Sequence, residues 1–129
     1  MADQFVIELP MRTLLANVWN SLHWTKKMAH TRELAALMSN AIPWKDRPKV
    51  PWDAWSILIE RESSKEPDPI AILSGAKPVF DILQPKSKRH PYGLAIVRDD
   101  TRACLIDYDE KHIQGPRKWT RVTIINEGE

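Results

Sequence analysis

The sequence predicts an α/β domain, a mixed sheet of about four strands with two helices. Short apolar runs of strand length alternate with two longer stretches whose apolar residues recur at three- and four-residue steps. The resulting order is β, α, β, α, β, β, and it contains no internal repeat or low-complexity tract. A chain of 129 residues fits one domain, so residues 1–129 are read as a single unit.

Phe5-Val6-Ile7-Glu8-Leu9, closed by Pro10, reads as the first strand. Met11 to Trp24 mixes polar and apolar residues without a period, which predicts an irregular, partly buried connection. From Thr25 to about Ile42, the residues Met28, Thr31, Leu34, Ala35, Met38 and Ile42 mark one face of an amphipathic helix, ended by Pro43. Pro43 to Asp53 holds three prolines and two tryptophans and is a constrained loop. Trp55 to Ile59 reads as a second strand, and Arg61 to Pro69 as a polar loop. Ile70 to Leu83 has helical spacing, although Gly75 and Pro78 move the expected start toward Ser74. A basic loop bounded by Pro85 and Pro91 follows. The segment Leu94 to Val97 then runs into Arg98-Asp99-Asp100. Ala103 to Tyr108 and Trp119 to Ile125 complete the expected sheet.

Composition removes whole classes of function. The chain is 43% hydrophobic and 28% charged, the proportions of a folded protein. One cysteine, Cys104, excludes an intramolecular disulfide framework and any zinc site needing two thiolates. No apolar run reaches the length of a membrane span. Met1-Ala2-Asp3-Gln4 lacks the basic-then-apolar pattern of a signal peptide, so a reduced, intracellular setting is expected. The net charge is only +2, which argues against bulk capture of nucleic acid but leaves local basic patches open.

Chemistry has few places to sit. Asp68 precedes the second helix and Asp99-Asp100 lies in a turn, and carboxylates gathered from separate loops are the usual holders of Mg²⁺. The plainer reading makes Asp68 a helix cap and Asp99-Asp100 a solvated turn. The four histidines show no paired metal-ligand spacing and read as surface or packing residues. There is no nucleophile elbow and no phosphate loop, and Cys104 within an apolar run reads as core. The basic segments Lys26-Lys27, Lys86-Ser87-Lys88-Arg89-His90, and Lys111 with Arg117, Lys118 and Arg121 form either a phosphate-binding face or ordinary solvated charge. Trp24 and Trp119 stand beside them, as stacking residues or as core.

Several of these segments, taken in order, resemble the RusA-type Holliday junction resolvases, especially phage and prophage members. Glu8-Leu9-Pro10 resembles the family's opening strand and proline. Asn17 through His23-Trp24 to Lys26-Lys27 resembles its asparagine, His-Trp and basic residues. Asp68 through Gly75, Lys77 and Asp81-Ile82-Leu83 resembles its central signature, an Asp-x-Asp-Asn/Gly-Leu element followed by a helix carrying a lysine and an Asp-x-Leu. Gly93 and the following Asp99-Asp100 resemble its glycine and Asp-Asp turn.

The resemblance implies a RusA-like α/β fold, a homodimer, and Mg²⁺-dependent (or Mn²⁺-dependent) nicking of four-way DNA junctions in recombination and repair. Such an enzyme would work in the cytoplasm of a bacterium or a phage-infected cell. Carried over by position, Asp68 and Asp100 are metal ligands and catalytic residues, and Lys77 stabilises charge on the scissile phosphate. The family's second ligand position holds Ile70, which has no lone pair to offer, and its Asn/Gly position holds Ala71. Asp99, or Glu66 in a Glu-x-Asp pair with Asp68, would restore a ligand. The alternative expectation is a degenerate member that binds DNA or protein without cutting; a third is an unrelated α/β domain.

Overall fold

In the computed structural model, residues 3–65 and 76–128 are described. Strand β1 (Gln4–Leu9) is followed by helices α1 (Ala16–Ser21) and α2 (Trp24–Ala41). Strand β2 (Trp55–Ser63), helix α3 (Lys77–Leu83), and strands β3 (Leu105–Gln114) and β4 (Trp119–Asn126) complete the order. The four strands form one sheet in the order β1-β4-β2-β3. β2 and β3 run parallel, and β4 is antiparallel to both β1 and β2. The expected four-stranded mixed α/β architecture is therefore present.

Alternation builds the core. Phe5, Ile7 and Leu9 of β1 face the helices, in register with Ile124, Val122 and Thr120 of β4, and Ile57 and Ile59 of β2 continue the same layer. Leu34, Ala35, Met38 and Ile42 from the α2 face close over it, with Val79, Ile82 and Leu83 of α3. Burying these rows is the main driving force for the fold, at about 25 cal/mol for each Å² of apolar surface removed from water. Cys104 is buried beside this core, as expected.

Helix α2 starts where His23 Nδ1 accepts the Thr25 amide at 3.3 Å, and it ends before Pro43. Arg47 then caps it from beyond, donating from Nη2 to the Ser39 and Ile42 carbonyls, both at 3.0 Å.

Four local expectations change. Met11 to Trp24 is not wholly irregular, because α1 forms within it and packs Trp19 against His30 and Lys27 of α2. β2 runs on through Arg61, Glu62 and Ser63, expected as loop, since these polar side chains find hydrogen-bond partners there, those of Arg61 and Glu62 far away in the chain. β3 starts at Leu105 and continues to Gln114, beyond the predicted Tyr108, because pairing with β2 holds its polar second half. α3 begins at Lys77; the earlier part of the predicted helix lies outside the described residues.

The partners of that β2 extension are specific. Glu62 is buried; its carboxylate accepts the Arg117 amide at 2.7 Å and Arg117 Nε at 2.8 Å, and pairs with Arg117 Nη2 at 2.7 Å. The guanidinium of Arg12 donates to the Glu62 carbonyl at 2.8 Å, and Arg61 donates to the Thr13 carbonyl at 2.9 Å. The β3–β4 connection thus arches over the end of β2 and clasps it. Gly115 makes this possible, since a Cβ there would stand 2.5 Å from Glu62 Oε2.

Candidate functional site

α3 and the loop after it build a cleft against α1 and α2. Pro78 in the first turn suits a helix start, where its missing N–H costs nothing. The α3 period then buries Val79, Ile82 and Leu83 and turns Lys77 and Asp81, four residues apart, to the same outer side. Lys77 Nζ lies 3.8 Å from Asp81 Oδ1. From the basic loop, His90 brings Nε2 to 3.4 Å from the same oxygen. Asp81, Arg89, His90 and Tyr92 line a cavity of about 150 Å³ with Trp19 and Lys27.

The path of the loop is set by backbone contacts. The Leu94, Ala95 and Ile96 amides donate to the carbonyls of Ile82, Gln84 and Leu83, at 2.7, 3.1 and 2.9 Å. Gly93 sits at the closest approach, where any Cβ would collide with the Gln84 carbonyl. The glycine of the sequence pattern therefore has a steric reason. Beyond Val97, which bridges to Trp52, the chain turns through Asp99-Asp100. The buried Trp55 indole donates to the Asp99 carbonyl at 2.7 Å, and Asp99 Oδ1 accepts the Asp100 amide at 2.7 Å. Asp99 is thus used as a turn former, and Asp100 is the carboxylate that the turn presents.

The electrostatics tie Asp100 to the cleft. Burial pushes the Asp81 carboxyl above its ordinary range, and the nearby Asp100 charge pushes it the same way. Lys77, His90 and Arg89 oppose the shift. Asp100 acts on Asp81 as a through-space charge, and itself lines a separate hollow with Arg102, Asp107 and Tyr108.

Two mutually repelling carboxylates are hard oxygen donors, and Mg²⁺ is commonly held by one or two such groups plus substrate phosphates. Asp81 and Asp100 are each hard oxygen donors of the kind Mg²⁺ takes, but they line different hollows. Among the described residues, no group of three or more carboxylates, imidazoles or thiolates is placed to hold a metal. Asp68 and Glu66, expected as ligands, lie outside the described residues, as does Ile70.

The expected DNA-binding residues divide between two regions. Lys27 and Arg89 line the cleft, while Lys26, Lys86 and Lys88 are exposed in the two basic segments that flank it. Arg117 instead clasps Glu62 and lies 4.6 Å from the Trp119 ring centroid, with Lys118 exposed beside it. Trp119 is buried under Arg117 and Arg121 and serves packing; Trp24 is exposed. Asp81 is the site residue that the sequence patterns matched without a role. Its signal was the i,i+4 spacing from Lys77, which places both on one helix face.

Against this geometry, comparison with known protein families finds no match, and no characterised protein is similar to the chain.

Proposed function

We propose that the chain is a RusA-type, Mg²⁺-dependent endonuclease that cuts four-way DNA junctions, acting as a homodimer in the cytoplasm of a bacterial or phage-infected cell. The observation that supports this reading is the Lys77–Asp81–His90 cluster in a cleft flanked by basic residues, with the Asp100 charge felt at Asp81. Asp100 and Asp81, with Asp68, would hold the metal. A bound Mg²⁺ supplies positive charge against the scissile phosphate and lowers the pKa of a water nucleophile. The protein's own residues do the rest. Lys77 is exposed enough to leave Asp81 and meet a phosphate oxygen. Lys27 and Arg89 hold neighbouring phosphates, and the Trp55-anchored turn keeps Asp100 oriented.

One sequence observation favours a second reading, junction binding without cleavage: Ile70 replaces a ligand of the family pattern. The deciding experiment incubates a labelled synthetic four-way junction with the protein and Mg²⁺ or Mn²⁺. Paired nicks that disappear in Asp100→Asn and Lys77→Met support the nuclease. A metal-independent gel shift without nicks supports the binding reading. In either case, neutralising Lys27 and Arg89 together lowers the slope of log K against log salt by about 2, at about 0.9 per duplex phosphate contact. Neither nicks nor a shift at low salt refutes both.

A further inference from the structure

Of the two tryptophans in the proline-rich loop, Trp52 is buried, but Trp44 is 81% exposed. It is the most exposed large apolar side chain among the described residues. An indole left in water forgoes a large burial gain, yet this one is rigidly held. It opens a short 3₁₀ turn, Trp44–Asp46, after Pro43, and its carbonyl accepts the Arg47 amide at 3.2 Å. The Arg47 guanidinium, already fixed on the end of α2, lies 5.1 Å from the ring centroid. Arg47 therefore backs one face of the indole, and the exposure leaves the other face open.

The surroundings are cationic and concave. Lys45 and Lys49 are exposed on either side of Arg47, with Asp46 the one acidic residue of the turn. A cavity of about 420 Å³ adjoins Trp44, walled by Lys45, Pro48, Leu94 and Ala95. Ala95 has a φ of 57°, a left-handed conformation that costs a non-glycine residue energy and is kept only where surrounding contacts enforce it. No residue lining this cavity lines the acidic cleft, so the two sites are distinct.

We propose that Trp44 is a stacking platform for an unpaired base of single-stranded nucleic acid, with Lys45 and Lys49 meeting the flanking phosphates. An open aromatic face among cations is the combination that binds single strands without reading their sequence, since every base offers a π-face. An acidic peptide would use the lysines but leave the flat indole face without a matching surface. The proposal is independent of nuclease activity.

The test uses the full chain and a fluorescein-labelled oligothymidylate of about 12 nucleotides, within the range such sites span. By anisotropy the wild type binds at low salt, Trp44→Ala weakens binding about tenfold or more, and Trp44→Phe retains most of it. Lys45→Ala with Lys49→Ala lowers the salt slope by about 1.4, at about 0.7 per single-strand contact. Trp44 lies on the surface, so an unchanged melting curve shows that its loss acts on binding. Oligonucleotide binding is read without added Mg²⁺ and needs no cleavage, so a failure of junction cleavage leaves this site standing. No binding by the wild type, or equal binding by Trp44→Ala, overturns the proposal. Competition by polyglutamate with the same dependence on Trp44 also overturns it and assigns the site to an acidic protein segment.

Discussion

Replacing Trp55 by Phe tests whether the core holds the candidate site in place. Trp55 is fully buried, its indole N–H donates to the Asp99 carbonyl at 2.7 Å, and its ring meets Phe80 edge-on with centroids 6.3 Å apart. Phenylalanine keeps an aromatic ring but removes the donor. The lost hydrogen bond is worth about 1 kcal/mol. The smaller ring leaves a void of a few tens of Å³, which at about 24 cal/mol per Å³ adds about 1 kcal/mol. The sum, about 2 kcal/mol, lowers the melting temperature of a domain this size by about 6–10 °C. Urea titration reads the stability, and amide exchange at Asp100 reads the turn. Trp52→Phe is the matched control, because Trp52 is buried and stacks on Phe5 with centroids 5.5 Å apart. Its indole donates no hydrogen bond among the described residues, so its expected loss is about 1 kcal/mol. Faster Asp100 exchange and weaker junction cleavage are expected only in Trp55→Phe. Equal losses in the two variants, with unchanged exchange at Asp100, would refute the reasoning.

Three further outcomes follow from the same geometry. Asp81 has its carboxyl pushed upward, so its favourable contribution is complete below the ordinary value of 3.8 and is lost as pH rises through the higher folded value. Asp81→Asn is therefore more stable than wild type at pH 7, and the advantage vanishes by about pH 3.5; a less stable variant at pH 7 contradicts this. Hydrogen bonds from Arg117 hold the Glu62 carboxyl below its ordinary range. Its contribution is present above the ordinary value of 4.5 and is lost as pH falls through the depressed one. Glu62→Gln accordingly unfolds at lower urea at pH 7, with a gap that narrows in acid. Finally, Gly93→Ala forces a methyl group onto the Gln84 carbonyl and is expected to cost about 1–3 kcal/mol in urea titrations, whereas wild-type stability would exclude the close approach.

The Arg117–Glu62 clasp qualifies how basic residues are read here. A charge count assigns Arg117 to a phosphate-binding face, but a buried carboxylate already holds its guanidinium, with Nε and Nη2 both on Glu62 Oε1. Arg121 is engaged too, 3.5 Å from Glu8 and 3.6 Å from Glu60 across the outer sheet face. Lysines 26, 86 and 88 are exposed beside the cleft, so the local field for an anion resides there.

Local pattern determined the strands β1 and β4, the α2 face of Leu34, Ala35 and Met38, the stop at Pro43 and the buried character of Cys104. Each of those is a short-range matter of period, chain stiffness or hydrophobicity. Tertiary structure decided what depends on residues far apart. Arg61 and Glu62 look like loop residues until the Thr13 carbonyl accepts from one and Arg117 neutralises the other within β2. Trp44 and Trp52 stand in the same proline-rich loop, yet one is open to solvent and the other stacks on Phe5 in the core, because only the packed chain sets which indole meets the core. Asp81 gained a role the same way. Its i,i+4 spacing to Lys77 is visible in the sequence, but the Asp100 charge reaches it only because the chain folds back over α3 through Gly93.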